Sequence, residues 1–89
     1  MDQNQQVLHL HGTDTFITEE ERSAYRVQSG RIYVFVAPLK NGKPNLRRLL
    51  CEVEAGHLIP SFRYQDDDYT QWRFVLVPQN EAELICLPG

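Results

Sequence analysis

Alternation with a period of two runs through most of this chain, and no segment shows a sustained 3.6-residue period. Such a pattern builds strands rather than helices. Ile32, Val34 and Val36 alternate with Tyr33, Phe35 and Ala37, and both sets are apolar, so this segment reads as a strand covered on both faces. Asn41-Gly42 follows, a pair that takes positive φ readily, and it predicts a hairpin turn. The return strand is expected over 46–53. There Arg47, Leu49, Cys51 and Val53 would share one face and Leu46, Arg48, Leu50 and Glu52 the other. The two arginines fall on opposite faces near the turn, where long side chains reach water.

Glu54-Ala55-Gly56 ends that strand. A short strand is expected at Leu58-Ile59, stopped by Pro60, and another at Phe62-Arg63-Tyr64. Asp66, Asp67 and Asp68 form a polar, solvated loop; three consecutive acids lack the alternating ligands of a calcium loop. Residues 71–77 make a strong strand, with Trp72, Phe74 and Leu76 on one face and Arg73, Val75 and Val77 on the other. Pro78-Gln79-Asn80-Glu81 reads as a turn, and 82–87 as the last strand.

The first 24 residues are an N-terminal segment ahead of the core at 25–89. They hold a strand at 7–11 and a helical turn capped by Thr18, with Glu21 completing a capping box. Tyr25 to Gln28 reads as strand, and Ser29-Gly30 as a turn into the next one. Seven or eight short strands separated by turns predict a small all-β sandwich or barrel.

Composition narrows the function classes. The chain has 89 residues, one small domain, and a net charge of −3, which argues against a sequence-independent nucleic-acid binder. The longest apolar run is the eight residues 32–39, against the roughly 20 that a membrane helix needs. The polar N-terminus carries no secretory pattern. Cys51 and Cys86 sit in apolar runs and are expected as buried thiols of a reducing compartment; no CxxC pair points to a zinc knuckle.

The run Val27-Gln28-Ser29-Gly30-Arg31-Ile32-Tyr33-Val34-Phe35, the block Arg47-Arg48-Leu49-Leu50-Cys51-Glu52-Val53-Glu54-Ala55-Gly56, and the strand pair Trp72 to Val77 and Glu83-Leu84 together resemble a known pattern. It is that of the cupin-like, cyclic-nucleotide-binding-like domain at the N-terminus of NHLM-type bacteriocin ABC exporters. The likeness spans about residues 25–87. It implies a small double-stranded β-helix, or jelly roll, of seven to eight strands. It also implies a non-catalytic regulatory or docking role on the cytoplasmic side of a bacterial transporter, with no cofactor. The partner would be a peptide substrate or a transporter subunit, with no nucleic acid. Contact with the membrane would come only through a larger protein. The chain is expected either to stand alone or to be a piece of such a transporter.

Candidate sites follow from that frame and from residue chemistry. A concave interior with Arg63, Tyr64, Trp72 and Arg73 near its rim would hold a small ligand or peptide. A cyclic-nucleotide sensor is an alternative, but Pro60-Ser61 stands where that family has Gly-Glu, and the triple acid would repel a phosphate. A small metal-dependent cupin enzyme is the other alternative, using His9, His11 and His57. His9-x-His11 puts two imidazoles on one strand face. The metal-binding cupins place a Glu four or five positions later, where this chain has Thr15 and Phe16. No serine or cysteine has a recognisable catalytic set, so no catalytic residue is assigned. So small a β-core leaves edge strands, which makes a homodimer an expectation.

Overall fold

The structure, a computed structural model, describes residues 6–19 and 22–88. The strands are β1 (Gln6–His11), β2 (Phe16–Ile17), β3 (Arg22–Lys40), β4 (Lys43–Pro44), β5 (Arg48–Glu54), β6 (Leu58–Pro60), β7 (Arg63–Gln65) and β8 (Gln71–Pro88). All pairings are antiparallel, and the eight strands form a strongly curled half-barrel.

Two long strands organise everything else. β3 has 19 residues and β8 has 18, and they pair from Arg22↔Pro88 to Pro38↔Trp72. Straight, a strand of β3's length would run about 60 Å. The longest dimension of the molecule is 41 Å, so both strands must bend. They bend together at three irregularities in their ladder, between Arg22 and Ala24, Val27 and Ser29, and Gly30 and Ile32. The third is the largest. Gly30 pairs with Ala82 while Ile32 pairs with Pro78, so Gln79, Asn80 and Glu81 stand opposite Arg31 alone. Extra residues on one strand raise the local twist and turn the ladder.

Gly30 makes this kink possible. Its φ is +80°, and a Cβ there would collide with the Glu81 carbonyl oxygen and lie 2.9 Å from Ala82 Cα. Ser29-Gly30 and Pro78–Glu81, both expected as chain reversals, are therefore the two sides of one kink. Each strand bends and carries on, because its partner runs alongside through the same point.

Three short strands flank each long one. β1, β2 and β7 line the outer side of β8, at 81–86, 75–76 and 71–73. β6, β5 and β4 line the outer side of β3, at 24–26, 31–36 and 39–40. The β3–β4 turn is the expected one: Asn41 and Gly42 have φ of 55° and 78° between the Lys40↔Lys43 pair. The return strand differs from expectation. Leu46 takes φ 54° and interrupts the ladder, and β5 starts at Arg48. A second irregularity leaves Leu50 unpaired between Phe35↔Leu49 and Val34↔Cys51. It flips the alternation, so Leu49 lies on Phe35's face while Cys51 and Val53 lie on the face of Val34 and Ile32.

The core fills the concave face. Tyr25, Val27, Ile32, Val34, Ile59, Leu76, Leu84 and Cys86 are fully buried there, with Leu10 and Ala82 beside them and Phe16, Val53 and Phe74 at the margin. The buried Tyr25 hydroxyl accepts a hydrogen bond from the Glu19 amide at 2.8 Å, which meets its polar need. On the convex face Ala37 and Val75 are also fully buried, but Tyr33 and Phe35 there are half-buried, so the 32–37 segment, expected to be covered on both faces, is covered only in part on this one. Among the other aromatics Tyr33, Phe35, Phe62, Trp72 and Phe74 are half-buried and Tyr64 is exposed. Of the cysteines, Cys86 is buried as expected, but Cys51 is exposed, because among the described strands β5 is bonded only to β3; no disulfide joins the two.

Thr18 and Glu19 are not helical. The Thr18 hydroxyl lies 3.4 Å from the carbonyls of Phe62 and Phe74, so it ties the β2 end to the sheet instead of capping a helix. Glu21, the other half of the expected capping box, lies outside the described residues.

The kink sets a clear expectation for substitutions. Gly30→Ala should cost about 2–4 kcal/mol, since it combines a strained φ with a backbone collision. Gly42 also has positive φ, but nothing lies within 4 Å of a Cβ there. Gly42→Ala should cost only about 1 kcal/mol. Urea denaturation of the two variants checks this, and equal losses would remove Gly30 from its central place.

Candidate functional site

β7 and β8 form a hairpin whose register places Arg63 opposite Arg73, Tyr64 opposite Trp72 and Gln65 opposite Gln71. Because side chains alternate, Arg63, Gln65, Gln71 and Arg73 share one face and Tyr64 and Trp72 share the other. Leu76 and Phe74 belong to the concave side, so Trp72 does as well. The arginines stand on the convex side, along with the buried Val75 and Ala37.

An open pocket of about 230 Å³ lies here, lined by Arg63, Tyr64, Gln65, Gln71 and Arg73. Of the four residues expected to bind a ligand, the Arg63 and Arg73 side chains therefore meet at one place, on the outer face rather than in the concave interior; Tyr64 lines the place too, but its side chain alternates to the Trp72 face. The fourth, Trp72, does not line it. Gln65 and Gln71 were not anticipated from the sequence.

Opposed like charges on neighbouring strands disfavour each other, with Cβ atoms about 5 Å apart. The local design limits that cost by fixing Arg73. It is only 8% exposed; its Nη2 donates to Gln71 Oε1 at 2.7 Å and its Nη1 to the Trp72 carbonyl at 3.3 Å. Arg63 is exposed. The pocket thus has one anchored guanidinium, one on the solvent side, and two amides.

Asp66 sets the hairpin loop. Its Oδ1 accepts from the amides of Asp68 and Thr70, each at 2.9 Å, and its Oδ2 accepts from the Trp72 indole Nε1 at 3.0 Å. Those donors hold its carboxyl below the ordinary carboxylate range. The Trp72 indole contributes most and the Thr70 amide next, then the Asp68 amide, against a partial desolvation that works the other way. One of three acids expected to be merely solvated is therefore a structural tie, and it also engages the polar atom of Trp72. Tyr69, in the same loop, takes φ 62° and projects into solvent.

The histidines do not assemble. His9 and His11 share a face of β1, with ring centroids 6.1 Å apart. Each faces acids: His9 lies 3.3 Å from Glu81 and 3.6 Å from Glu83, and His11 lies 4.0 Å from Asp14. His57 sits in the β5–β6 connection on the β3 side of the sheet, whereas β1 is bonded to β8. Two long strands separate it from the pair. Among the described residues no group of three or more His, Cys, Asp or Glu is placed to hold a metal ion.

A larger, shallower hollow of about 500 Å³ opens at the kink, lined by Gly30, Arg31, Glu54, Ala55, Gln79, Asn80 and Glu81. Its cation is committed: Arg31 contacts Glu52 at 3.4 Å and Glu54 at 3.1 Å. With Glu81 also on its wall, this hollow suits an anion poorly. The arginine of the Ser29-Gly30-Arg31 run is thus a cross-strand partner for β5.

No protein-family model matches the chain, and neither a curated protein nor a solved structure matches it.

Asp66 yields a pH test. Its folded pKa is depressed, so its contribution to stability is complete above its unfolded value, about 4. That contribution is lost as pH falls through the lower folded value. Asp66→Asn removes the charge and replaces one acceptor with a donor that the indole N–H cannot use. The variant should be less stable at pH 7 and should lose less stability between pH 5 and pH 2 than the parent does. Urea midpoints across that range check it.

Proposed function

We propose that this chain is a non-catalytic regulatory or docking module that recognises an anionic group, a carboxylate or phosphate, of a small ligand or peptide. The observation that carries this is the convergence of Arg63, Arg73, Gln65 and Gln71 on one pocket of the convex sheet face. Planar guanidiniums match the two oxygens of a carboxylate or phosphate, and charge-assisted hydrogen bonds are stronger than neutral ones. Anchoring Arg73 in advance lowers the cost of ordering it on binding.

We further take the half-barrel to be a small jelly roll of the cupin-like kind, and the setting to be the cytoplasmic side of a bacteriocin-type peptide exporter in a bacterium. Support comes from the 25–87 sequence pattern and from an antiparallel sheet in which one long strand pairs both with the last strand and with the hairpin that follows it. In that setting the bound group would belong to the exported peptide or to a transporter subunit.

The test is a thermal-shift titration with inorganic phosphate, cyclic AMP and peptides ending in a free carboxylate, run beside zinc. A ligand at 100 times its dissociation constant adds about 2.7 kcal/mol, a rise of roughly 10 °C or more for a domain this size. Arg63→Ala should weaken binding about tenfold or more. No shift with any anion rejects the proposal. A zinc shift abolished by His9→Ala would favour the metal-dependent cupin instead.

A further inference from the structure

We infer that β5 is the edge through which two copies of this chain pair, antiparallel, into one continuous sheet. The inference stands apart from the anion pocket and uses a different part of the molecule.

β5 is bonded to β3 on one side, and no described strand lies on its other side. An edge strand offers a row of backbone donors and acceptors to another chain. This one also offers apolar surface. Leu49 is 56% exposed and Leu50 53%, Cys51 next to them is exposed, and Leu46, just before the strand, is 83% exposed. Proteins often blunt such edges with charged side chains, prolines or bulges. Here the charges are sorted by sign along the chain, with Arg47 just before the strand, Arg48 at its start, and Glu52 and Glu54, which also contact Arg31 within the chain, toward its end. A second copy laid antiparallel places each basic start beside an acidic end. A parallel copy would stack like on like. The sorting therefore selects a two-fold pair of this same strand.

The faces fix the register. Arg47 lies over the Phe35 ring at 4.3 Å, so it is on the convex face, and the β3 pairings put Leu49, Glu52 and Glu54 there too. Arg48, Cys51 and Val53 face the concave side opposite Val36, Val34 and Ile32. For two half-barrels to form one sheet with their convex faces on the same side, convex residues must meet convex residues. Pairing Arg47 with Glu54 of the second copy satisfies this along the strand. Leu49 then meets Glu52, Arg48 meets Val53, and Leu50 meets Cys51 about the two-fold axis. Glu52 also lies on the diagonal from Arg47, within reach of a long side chain. The unpaired Leu50, which flips the alternation within one chain, is what makes the two ends match between chains.

Analytical ultracentrifugation with charge reversals tests this. The parent chain should form dimers in the micromolar range, as expected for a narrow interface. Arg47→Glu and Glu54→Arg should each weaken the dimer about tenfold or more, because each puts two like-charged pairs into it. An equimolar mixture of the two variants should recover dimerisation, since the carboxylate introduced in one chain then faces the guanidinium introduced in the other. Circular dichroism melts establish that each variant is folded. If either is not, Leu50→Lys, at a position already exposed, carries the test and should give monomers. A parent chain that stays monomeric up to about 1 mM overturns the inference. So does a dimer that ignores the reversals, or a mixture that fails to recover.

Discussion

The pairing of β3 with β8 through the kink at Gly30 is the constraint on which the rest of the structure depends. Neither long strand could fit this molecule straight. Bending one alone would tear a ladder of more than a dozen residue pairs, so the two bend together. That shared bend makes the concave face deep enough to bury Tyr25, Ile32, Leu76 and Leu84. It also determines where six short strands attach, since each is bonded to only one of the long pair. The pairing is strongly non-local, with Arg22 opposite Pro88, so closing it costs chain entropy that only the completed core offsets.

Much of this was legible in the sequence, and what was not has a physical reason. The doubly apolar alternation at 32–37 marked a strand buried on one face and partly covered on the other, and Asn41-Gly42 marked its hairpin. Both signals are local. Ser29-Gly30 and Pro78–Glu81 were not legible as a kink, because the residues that permit a reversal are the ones that permit a bulge. Only the neighbouring strand decides between them. Cys51 is similar. Its apolar neighbours suggest a core, but exposure depends on whether another strand lies beyond β5, and no local pattern encodes that.

The candidate site was half legible. Arg63, Tyr64 and Arg73 could be picked out by residue type, but their geometry depends on the hairpin register. The signal was present: Gln65-Asp66 and Thr70-Gln71 flank a loop in which an aspartate can bond amides two and four positions on. Reading Asp66 as the loop's organiser gives the register, and the register brings Gln65 and Gln71 to the arginines. The three consecutive acids hid this, since Asp67 and Asp68, which follow Asp66, carry the same charge and make none of its bonds to Thr70 and Trp72.

The edge and the pocket are compatible, and the sheet order says why. The sequence of strands across the sheet is β5, β3, β8, β7, so the pocket lies about 15 Å from the β5 edge, at roughly 4.8 Å per strand. A two-fold axis normal to the sheet keeps convex faces together. A β5-paired dimer would therefore present two copies of the Arg63 and Arg73 pocket on one side and both cores on the other. Neither pocket is covered, and each lies beyond its own pair of long strands. A partner with two anionic groups spaced across that face would gain from binding both at once, in proportion to how rigidly its spacing matches. Dimerisation would then add avidity without changing a contact in either pocket, and the number of strands between pocket and edge would set the distance between them.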